Sequence, residues 1–307
     1  MNLAGYLNGE FGVAESARSF ARALACADVP FVLNGVDAKF HWARAGDLEL
    51  SEQNPYRFNL IHVNAADVRK FFKRKGHNYR RGHYNIGLWY WEVPEFPKRW
   101  RSRFNYFQEI WVTSHFGAEA VAKISPIPVR RMPYPFSLGE VTASRQRKRF
   151  WLPEDSYVFL FNFDFASVVE RKNPLGLVRA FAKAFGKNDD AVLVIKSLNA
   201  HCARQTWLEL KKAVEGLKIR LIDEYMERQE FLTLMASSDC YVSLHRSEGL
   251  GLGLAEAMSM AKPVIATGWS GNMDFMTATN SFLIKYQLVK LTEDYSPYRK
   301  GSSWADP

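Results

Sequence analysis

Short apolar runs alternate with segments of helical periodicity along most of the chain. Between the runs, apolar residues recur every three or four positions at 13–24, 117–124, 203–215 and 227–236, which is typical of helices packed on a core. Strands that alternate with helices favour a parallel, doubly wound sheet. The apolar runs that predict strands lie at 3–7, 31–33, 58–63, 84–90, 109–113, 128–132, 157–163, 192–195, 219–222, 240–244 and 264–266.

A break near the middle divides these elements into two series. Pro133-Tyr134-Pro135 ends the first series, and a basic stretch at 145–149 precedes the second. We therefore predict two domains, 1–140 and 141–307, each an α/β fold built on a Rossmann-like, doubly wound sheet. Sheets of this kind bind ligands at the carboxyl ends of their strands, so a ligand cleft is expected between the domains.

The stretch His245-Arg246-Ser247-Glu248-Gly249-Leu250-Gly251, which follows the strand at 240–244, is the strongest candidate for chemistry. A helix predicted from Gly249 onward would aim the N–H groups of Gly249, Leu250 and Gly251 at a phosphate. It would also place Glu248 and Glu256 about 12 Å apart at 1.5 Å rise per residue. Carboxylates accept hydrogen bonds from sugar hydroxyls, so this spacing suits a sugar nucleotide.

A simpler interpretation of the two glutamates is that Glu248 is favoured by the helix dipole and Glu256 lies on the surface. The apolar neighbours of Glu256 argue against it. A less specific candidate for an anion-binding loop, with Gly9 and Gly12, follows the strand at 3–7. An ordinary strand-to-helix turn explains that loop equally well.

A second helix start lies at Asn173-Pro174, with Asn173 as the N-cap and Pro174 at the first helical position. The bases Arg171 and Lys172 come directly before it. Fixed cations at such a place would stabilise the negative charge of a departing diphosphate without reorganising. The alternative is a pair of ordinary exposed bases.

Charge is uneven along the 307 residues, whose net charge is +9. Lys and Arg outnumber Asp and Glu by 23 to 13 in residues 1–150, and are balanced at 18 to 19 in residues 151–307. The basic stretch 69–81, with interleaved Phe71, Phe72 and Tyr79, is either a solvated helix face or a docking site for an anionic membrane surface or lipid-linked acceptor. Nucleic acid would fit this charge but not Glu248 and Glu256, so no nucleic-acid partner is expected.

Several classes of protein are excluded by the sequence. Cys26, Cys202 and Cys240 match no metal-ligand spacing, and the chain has no Asp-x-Asp motif, so we expect no metal. No apolar run approaches the roughly 18 residues of a transmembrane helix. The first residues lack the basic region of a signal peptide, so we predict a cytoplasmic protein, with peripheral membrane association if stretch 69–81 docks there.

The stretch HRSEGLGLGLAEAM, with KPVIATGWSGNMDFM after it, resembles the donor site of the family 4 retaining glycosyltransferases of GT-B fold. The similarity extends to GYLNGEFGVAESAR, GLWYWEVPEFP, EIWVTSHF and ERKNP. It implies that Glu248 contacts the transferred sugar, that Glu256 binds the ribose, and that Arg171 and Lys172 neutralise the diphosphate. Many members carry an arginine where this chain has Ala166, so Lys172 is the more secure of the two bases.

The resemblance also implies roles at less specific positions. Base selectivity would be set near Ile222, Glu224 and Tyr225. His62 and His115 are weaker alternatives to the proposed catalytic Glu92, which would reach the transferred sugar. The remaining donor-site candidates are Gly9, Gly12, His245, Ser270 and Gly271.

The function that follows is retaining transfer of a sugar from GDP-mannose or a UDP-sugar to a glycan or lipid-linked acceptor, as in polysaccharide biosynthesis, without a metal or other cofactor. A non-catalytic sugar-nucleotide-binding subunit and an inactive fragment are the alternatives. Members of the family usually continue into terminal helices that cross back onto the first domain. Since this chain ends at Pro307, the resemblance implies that it is truncated or that this closure is reduced.

Overall fold

A computed structural model describes residues 1–9, 11–37, 48–138, 144–186 and 189–307. The chain forms two compact units. The first contains Met1–Ser137 together with Leu291–Ser303, and the second contains Leu138–Lys290 together with Trp304–Pro307.

The first unit is built on a six-stranded sheet whose strands are all parallel, in the order β2-β1-β3-β4-β5-β6. Leu3 and Ala4 on the first strand are fully buried, as are Ala14 and Ala17 on the helix that follows it. Its strands are β1 (Asn2–Gly5), β2 (Val32–Gly35), β3 (Phe58–His62), β4 (Tyr84–Trp89), β5 (Glu109–Val112) and β6 (Val129–Arg131). Its helices are α1 (Gly12–Cys26), α2 (Val68–Lys75) and α3 (His115–Ala122), with 3-10 helices at His77–Tyr79 and Lys98–Tyr106.

The second unit repeats this plan with the parallel order β12-β11-β10-β7-β8-β9. Apolar side chains cover both faces of the sheet, with Leu160 and Val194 in one cluster and Phe161 and Ile195 in the other. Its strands are β7 (Tyr157–Asp164), β8 (Ala191–Leu198), β9 (Ile219–Asp223), β10 (Cys240–Ser243), β11 (Val264–Thr267) and β12 (Phe282–Ile284). Its helices are α4 (Val169–Lys172), α5 (Pro174–Ala184), α6 (Arg204–Val214), α7 (Arg228–Ser237) and α8 (Leu252–Ser259), with 3-10 helices at Arg147–Phe150, Ala200–Ala203 and Gly271–Asp274.

The segment Leu291–Ser303 belongs to the first unit, so the predicted second domain, 141–307, is wrong for these residues. The Tyr298 hydroxyl donates to Glu92 Oε2 at 2.9 Å, and its ring centroid lies 5.4 Å from that of Trp91. Ser303 N donates to Glu95 Oε2 at 3.0 Å. The segment has no apolar periodicity that could have revealed these distant partners. Before and after it, β13 (Gln287–Lys290) and β14 (Ser303–Asp306) form a two-stranded sheet.

One predicted helix start and one predicted capping bond need correction. The helix expected from Gly249 begins at Leu252, because Gly251 adopts the left-handed region at φ 88°. Asn173 does precede the helix that starts at Pro174, but its φ is 57° and its side chain makes no capping bond. Its Nδ2 instead donates to the Leu244 carbonyl at 2.9 Å. Within the described ranges, no helix is long and apolar enough to cross a membrane.

Candidate functional site

The strand order of the second unit brings two predicted motifs together. β7 and β10 are neighbours in the sheet. The chain leaves β7 toward β8 on one side and leaves β10 toward β11 on the other. Ligands bind at such a switch point because the loops at the carboxyl ends of the two central strands diverge there. The loop after β7 leads into α4 with Arg171 and Lys172, and the loop after β10 carries Glu248.

Glu248 lies between these two cations. Lys172 Nζ donates to Glu248 Oε1 at 2.5 Å, and Arg171 Nη1 lies 3.4 Å from Glu248 Oε2. Burial raises the pKa of the Glu248 carboxyl, but the charges of Lys172 and Arg171 outweigh it and lower the pKa to about 2. Glu248 is therefore an anion at neutral pH and can accept hydrogen bonds but not donate them.

Backbone contacts fix α4 against the loop after β10. Arg171 is buried, and its Nη1 donates to the Ser247 carbonyl at 2.6 Å. In return, Arg246 N donates to the Arg171 carbonyl at 2.7 Å, and Arg246 Nη1 donates to the Glu170 carbonyl at 3.1 Å. The positions of Lys172 and Glu248 are thus set by main-chain hydrogen bonds as well as by their charges.

The last residues of the chain hold Arg246 in place. Its guanidinium lies 5.4 Å from the ring centroid of the buried Trp304, and its Nη2 donates to Asp306 Oδ1 at 3.1 Å. Ala305 N donates to the Arg246 carbonyl at 2.9 Å. Sequence reasoning missed this role of Arg246, although the residue lies inside the motif that it singled out.

The loop after β11 supports Glu248 from the other side. Glu248 N donates to Ser270 Oγ at 2.8 Å, and Gly271 N donates to the Glu248 carbonyl at 2.9 Å. A Cβ on Gly271 would lie 2.2 Å from the Gly249 carbonyl oxygen, so only glycine allows this approach. Ser270 has a φ of 83°, an uncommon conformation for a side-chain-bearing residue and one that often occurs at functional sites.

His245 connects the loop after β10 to the loop after β11. It is fully buried, and its ring nitrogens lie 3.1 Å from Ser243 Oγ and 3.1 Å from Asn272 Oδ1. Burial lowers the pKa of His245, so the ring is neutral at physiological pH. These contacts favour a supporting role for His245 over direct contact with a ligand.

Glu256 lies on α8 in a different environment from Glu248. It is buried and accepts a hydrogen bond from Arg228 Nη1 of α7 at 2.6 Å. The sequence predicted Glu256 as a ligand residue but did not predict its partner Arg228. The ion pair orients the Glu256 carboxylate and offsets the cost of burying its charge.

The other second-unit candidates surround this centre. Gly249, Leu250 and Gly251 are buried in the loop between β10 and α8. Glu224 is exposed and Tyr225 half-buried in the connection between β9 and α7. No group of three or more His, Cys, Asp or Glu residues suited to a metal occurs in the part of the chain that the structure describes.

In the first unit, the glycine loop is held by an arginine that sequence reasoning missed. Arg18 is buried, and its Nη1 donates to the carbonyls of Leu7 at 2.9 Å and Gly9 at 2.7 Å. A Cβ on Gly9 would clash with the Phe11 ring at 2.4 Å, whereas a Cβ on Gly12 would meet nothing within 4 Å. Gly9 is therefore needed by the loop itself, and Gly12 is not.

The three acid–base candidates of the first unit have different environments. Glu92 is half-buried and bonded to Tyr298, and His115 is exposed at the first position of α3. His62 is fully buried, and its Nε2 lies 2.8 Å from Ser16 Oγ. Burial lowers the pKa of His62 to about 3, so it is a neutral core residue.

The basic stretch 69–81 forms α2 and the 3-10 helix after it. Its aromatic residues Phe71, Phe72 and Tyr79 are buried, so they belong to the core. The bases Lys70 and Lys73 are exposed, and docking of this face to a membrane stays a prediction.

Comparison with known proteins identifies the fold. Residues 144–289, which lie inside the second unit, match the family model "Glycosyl transferases group 1". No curated protein matches the chain in sequence. These findings show that the chain resembles a retaining GT-B glycosyltransferase, and they confirm the predicted fold class.

Solved structures similar to this chain have the same two-domain architecture. HepE of Anabaena in complex with UDP-glucose and sucrose-phosphate synthase from Thermosynechococcus elongatus each have a TM-score of 0.66 at 14% identity, over 92% of this chain and 85% of theirs. A UDP-forming trehalose-phosphate synthase from Burkholderia xenovorans has a TM-score of 0.56 at 11% identity, over 76% of this chain and 63% of that one. At these identities, the similarity concerns the fold.

Proposed function

We propose that this chain, which resembles retaining GT-B glycosyltransferases, transfers a hexosyl group from a nucleotide sugar to a glycan or lipid-linked acceptor. The observation that carries the proposal is the contact of Lys172 and Arg171 with Glu248 at the switch point of the second unit. These three residues lie within the segment that matches the glycosyltransferase family model. They combine a charge for the diphosphate with a hydrogen-bond acceptor for the sugar.

The proposed reaction exchanges one bond for another at the anomeric carbon of the donor sugar. The acceptor oxygen forms a bond to the anomeric carbon while the bond between this carbon and the phosphate oxygen breaks. Both events take place on the same face of the sugar. The acceptor proton passes to the leaving phosphate. Lys172 and Arg171 would stabilise the charge of the departing diphosphate, and catalysis would come mainly from positioning and electrostatics.

The two glutamates would bind opposite ends of the donor. Glu248, held ionised by its cations, would accept hydrogen bonds from the transferred sugar. Glu256, oriented by Arg228, would accept them from the ribose. The diphosphate would lie against the glycine loop that connects the two residues along the chain.

A UDP-sugar is the favoured donor. HepE, one of the structures with the same fold, is in complex with UDP-glucose, and the similar trehalose-phosphate synthase is UDP-forming. Binding of GDP-mannose in preference to UDP-sugars would change the assignment of the base but not that of the reaction.

Turnover of the purified chain tests the proposal. UDP-glucose, other UDP-sugars and GDP-mannose are each incubated with the chain, and release of the nucleoside diphosphate is followed with and without EDTA. We expect turnover that EDTA does not abolish. Lys172→Ala should reduce it by at least about 100-fold, because removing one group that stabilises transition-state charge costs this much. Glu256→Ala should also reduce it strongly, because it removes the acceptor for the ribose and the ion-pair partner of Arg228.

The matched controls are Lys183→Ala and Glu215→Ala, which remove the same charges from exposed positions of the same unit. They should keep full activity. Full activity of both site variants would contradict the proposal. Binding of a nucleotide sugar without any turnover would instead identify a non-catalytic sugar-nucleotide-binding subunit.

A further inference from the structure

The first unit contains a cleft of about 410 Å³ that the donor site does not include. We name it the basic cleft, formed by residues 95–99 after β4, by 299–302, and by Trp91. It lies beyond the carboxyl end of β4, whose last residue is Trp89. Loops at the carboxyl edge of a parallel sheet are where α/β units bind ligands. The volume is within the usual range for small-molecule sites, about 300 to 1,000 Å³.

Positive charge predominates in this cleft. Lys98, Arg99, Arg299 and Lys300 line it, and Glu95 is the single acidic residue among its lining residues. Glu95 already accepts hydrogen bonds from Ser303, at 3.0 Å from N and 3.1 Å from Oγ. The lining therefore carries an excess of three positive charges.

The four cations fall into two classes. Arg299 pairs with Asp294, and Arg99 lies over the Trp100 ring at 5.2 Å while its Nη2 donates to the Pro297 carbonyl at 3.3 Å. The ammonium groups of Lys98 and Lys300 make no hydrogen bond or ion pair with any residue that the structure describes. Both side chains belong to exposed residues, so they are available to a ligand.

The wall of the cleft adds a surface suited to a sugar. Trp91 and Phe96 line it with aromatic rings. Two free ammonium groups suit the double charge of a phosphate better than the single charge of a carboxylate.

We propose that the basic cleft binds a phosphorylated sugar, with the phosphate held between Lys98 and Lys300 and the sugar lying along Trp91. This inference rests on the proposed function and makes it more specific, since the phosphorylated sugar would be, or would be part of, the acceptor. The phosphate is either that of a free sugar phosphate or that of a lipid headgroup. Both sources present the same dianion to the two lysines.

Calorimetric titration of the full chain with glucose 6-phosphate at low salt tests the proposal. We expect binding that is at least several-fold tighter than that of inorganic phosphate or glucose alone and that weakens as salt is added. The double variant Lys98→Glu, Lys300→Glu should weaken it by about tenfold or more, since it replaces two attractive charges by repulsive ones. The control variant Lys70→Glu, Lys73→Glu makes the same change of charge on exposed α2 and should retain the affinity.

Equal losses in the two double variants would overturn the proposal, because they would show attraction by the net charge alone. Inorganic phosphate binding as tightly as glucose 6-phosphate would overturn the sugar part of it. Vesicles of phosphatidic acid in phosphatidylcholine distinguish the sources. Vesicle binding that is lost in the cleft variant identifies a lipid headgroup. Vesicles that bind the wild type and the cleft variant alike do not use the cleft, and the phosphate site then rests on the glucose 6-phosphate titration, which identifies a free sugar phosphate.

The donor site provides an independent check in the same experiment. Thermal shift with UDP should be unchanged in both double variants, because none of the four lysines belongs to the second unit. If neither UDP nor GDP shifts the melting temperature while glucose 6-phosphate binds at the cleft, the proposed function fails and the cleft assignment stands. If UDP binds and glucose 6-phosphate does not, the cleft assignment alone fails.

Discussion

At the residue scale, the two glutamates of the second unit show how neighbours decide what a carboxylate can do. Glu248 is 15% exposed and faces two cations, so it stays charged while part of it remains available to a ligand. Glu256 is 3% exposed and forms an ion pair with Arg228. The sequence indicated both as ligand residues, but their cationic partners Lys172 and Arg228 lie 76 and 28 positions away.

His62 provides a test of buried charge in the first unit. Its ring stacks on Tyr90 with centroids 5.6 Å apart, and its pKa falls from 6.5 to about 3. Below pH 6.5 the His62 imidazole binds a proton in the unfolded chain but stays neutral in the folded chain. The free energy of unfolding therefore decreases as the pH falls from 6.5 towards 3. Between pH 7 and pH 5, this residue should remove about 2 kcal/mol of the free energy of unfolding of the first unit.

Hydrogen exchange of peptides from β1 and β3, followed at pH 7 and pH 5, measures this loss. In His62→Gln, the part of the pH dependence due to this residue should disappear. The control His77→Gln changes an exposed histidine and should behave as wild type. A wild-type protein whose local stability is the same at both pH values would show that His62 titrates normally.

At the element scale, parallel strands made most of the fold predictable. Strands covered on both faces are continuously apolar, so β7, β8 and β10 stand out in the sequence. Helix starts were less secure. The conformation of Gly251 delays α8, and Asn173 bonds to the loop after β10 instead of capping its helix.

The close approach of the loops after β10 and β11 gives a prediction at this scale. Gly271→Ala would place a methyl group 2.2 Å from the Gly249 carbonyl oxygen, so one of the two loops must move. Because Gly271 N and Ser270 also hold the backbone of Glu248, we expect the variant to lose UDP binding and about 1 to 3 kcal/mol of stability. Thermal shift with and without UDP measures both effects.

Gly186→Ala is the control, since a Cβ there meets its nearest atom at 3.7 Å. It should bind UDP like the wild type. Unchanged UDP binding in Gly271→Ala would mean that the contact between the two loops does not shape the donor site.

At the scale of the whole molecule, the last residues of the chain contact the loop after β10, although they are distant from it in the sequence. The segment Leu291–Ser303 is part of the first unit, and Trp304–Pro307 is part of the second. Trp304 and Asp306 hold Arg246, which in turn bonds to Glu170 and Arg171. We infer that this C-terminal contact positions α4.

Substitutions of graded severity test this positioning. Arg246→Ala removes the contacts with Trp304, Asp306 and the Glu170 carbonyl, so it should weaken UDP binding by about tenfold or more. Asp306→Asn removes one partly exposed ion pair, which contributes at most about 1 kcal/mol, so the loss should not exceed about fivefold. The control Asp155→Asn, at an exposed position, should have no effect.

Hydrogen exchange in α4 distinguishes positioning from a general loss of stability. We expect faster exchange in 168–173 for Arg246→Ala, with β7 unchanged. Equal UDP affinity in wild type and Arg246→Ala would rule out a role of the C-terminal residues in the donor site.

The sequence by itself determined strands β1 to β11, their grouping into two series, and the loops that carry Glu248, Arg171 and Lys172. It could do so because apolar periodicity is local, and because the carboxyl ends of parallel strands share one edge of a sheet. Only the tertiary structure decided that Arg228 orients Glu256, that Trp304 and Asp306 hold Arg246, and that 299–302 forms the basic cleft with 95–99. These contacts join mostly polar residues that are distant in the sequence. Such pairing produces no periodic pattern in the sequence, because it depends on how the chain packs.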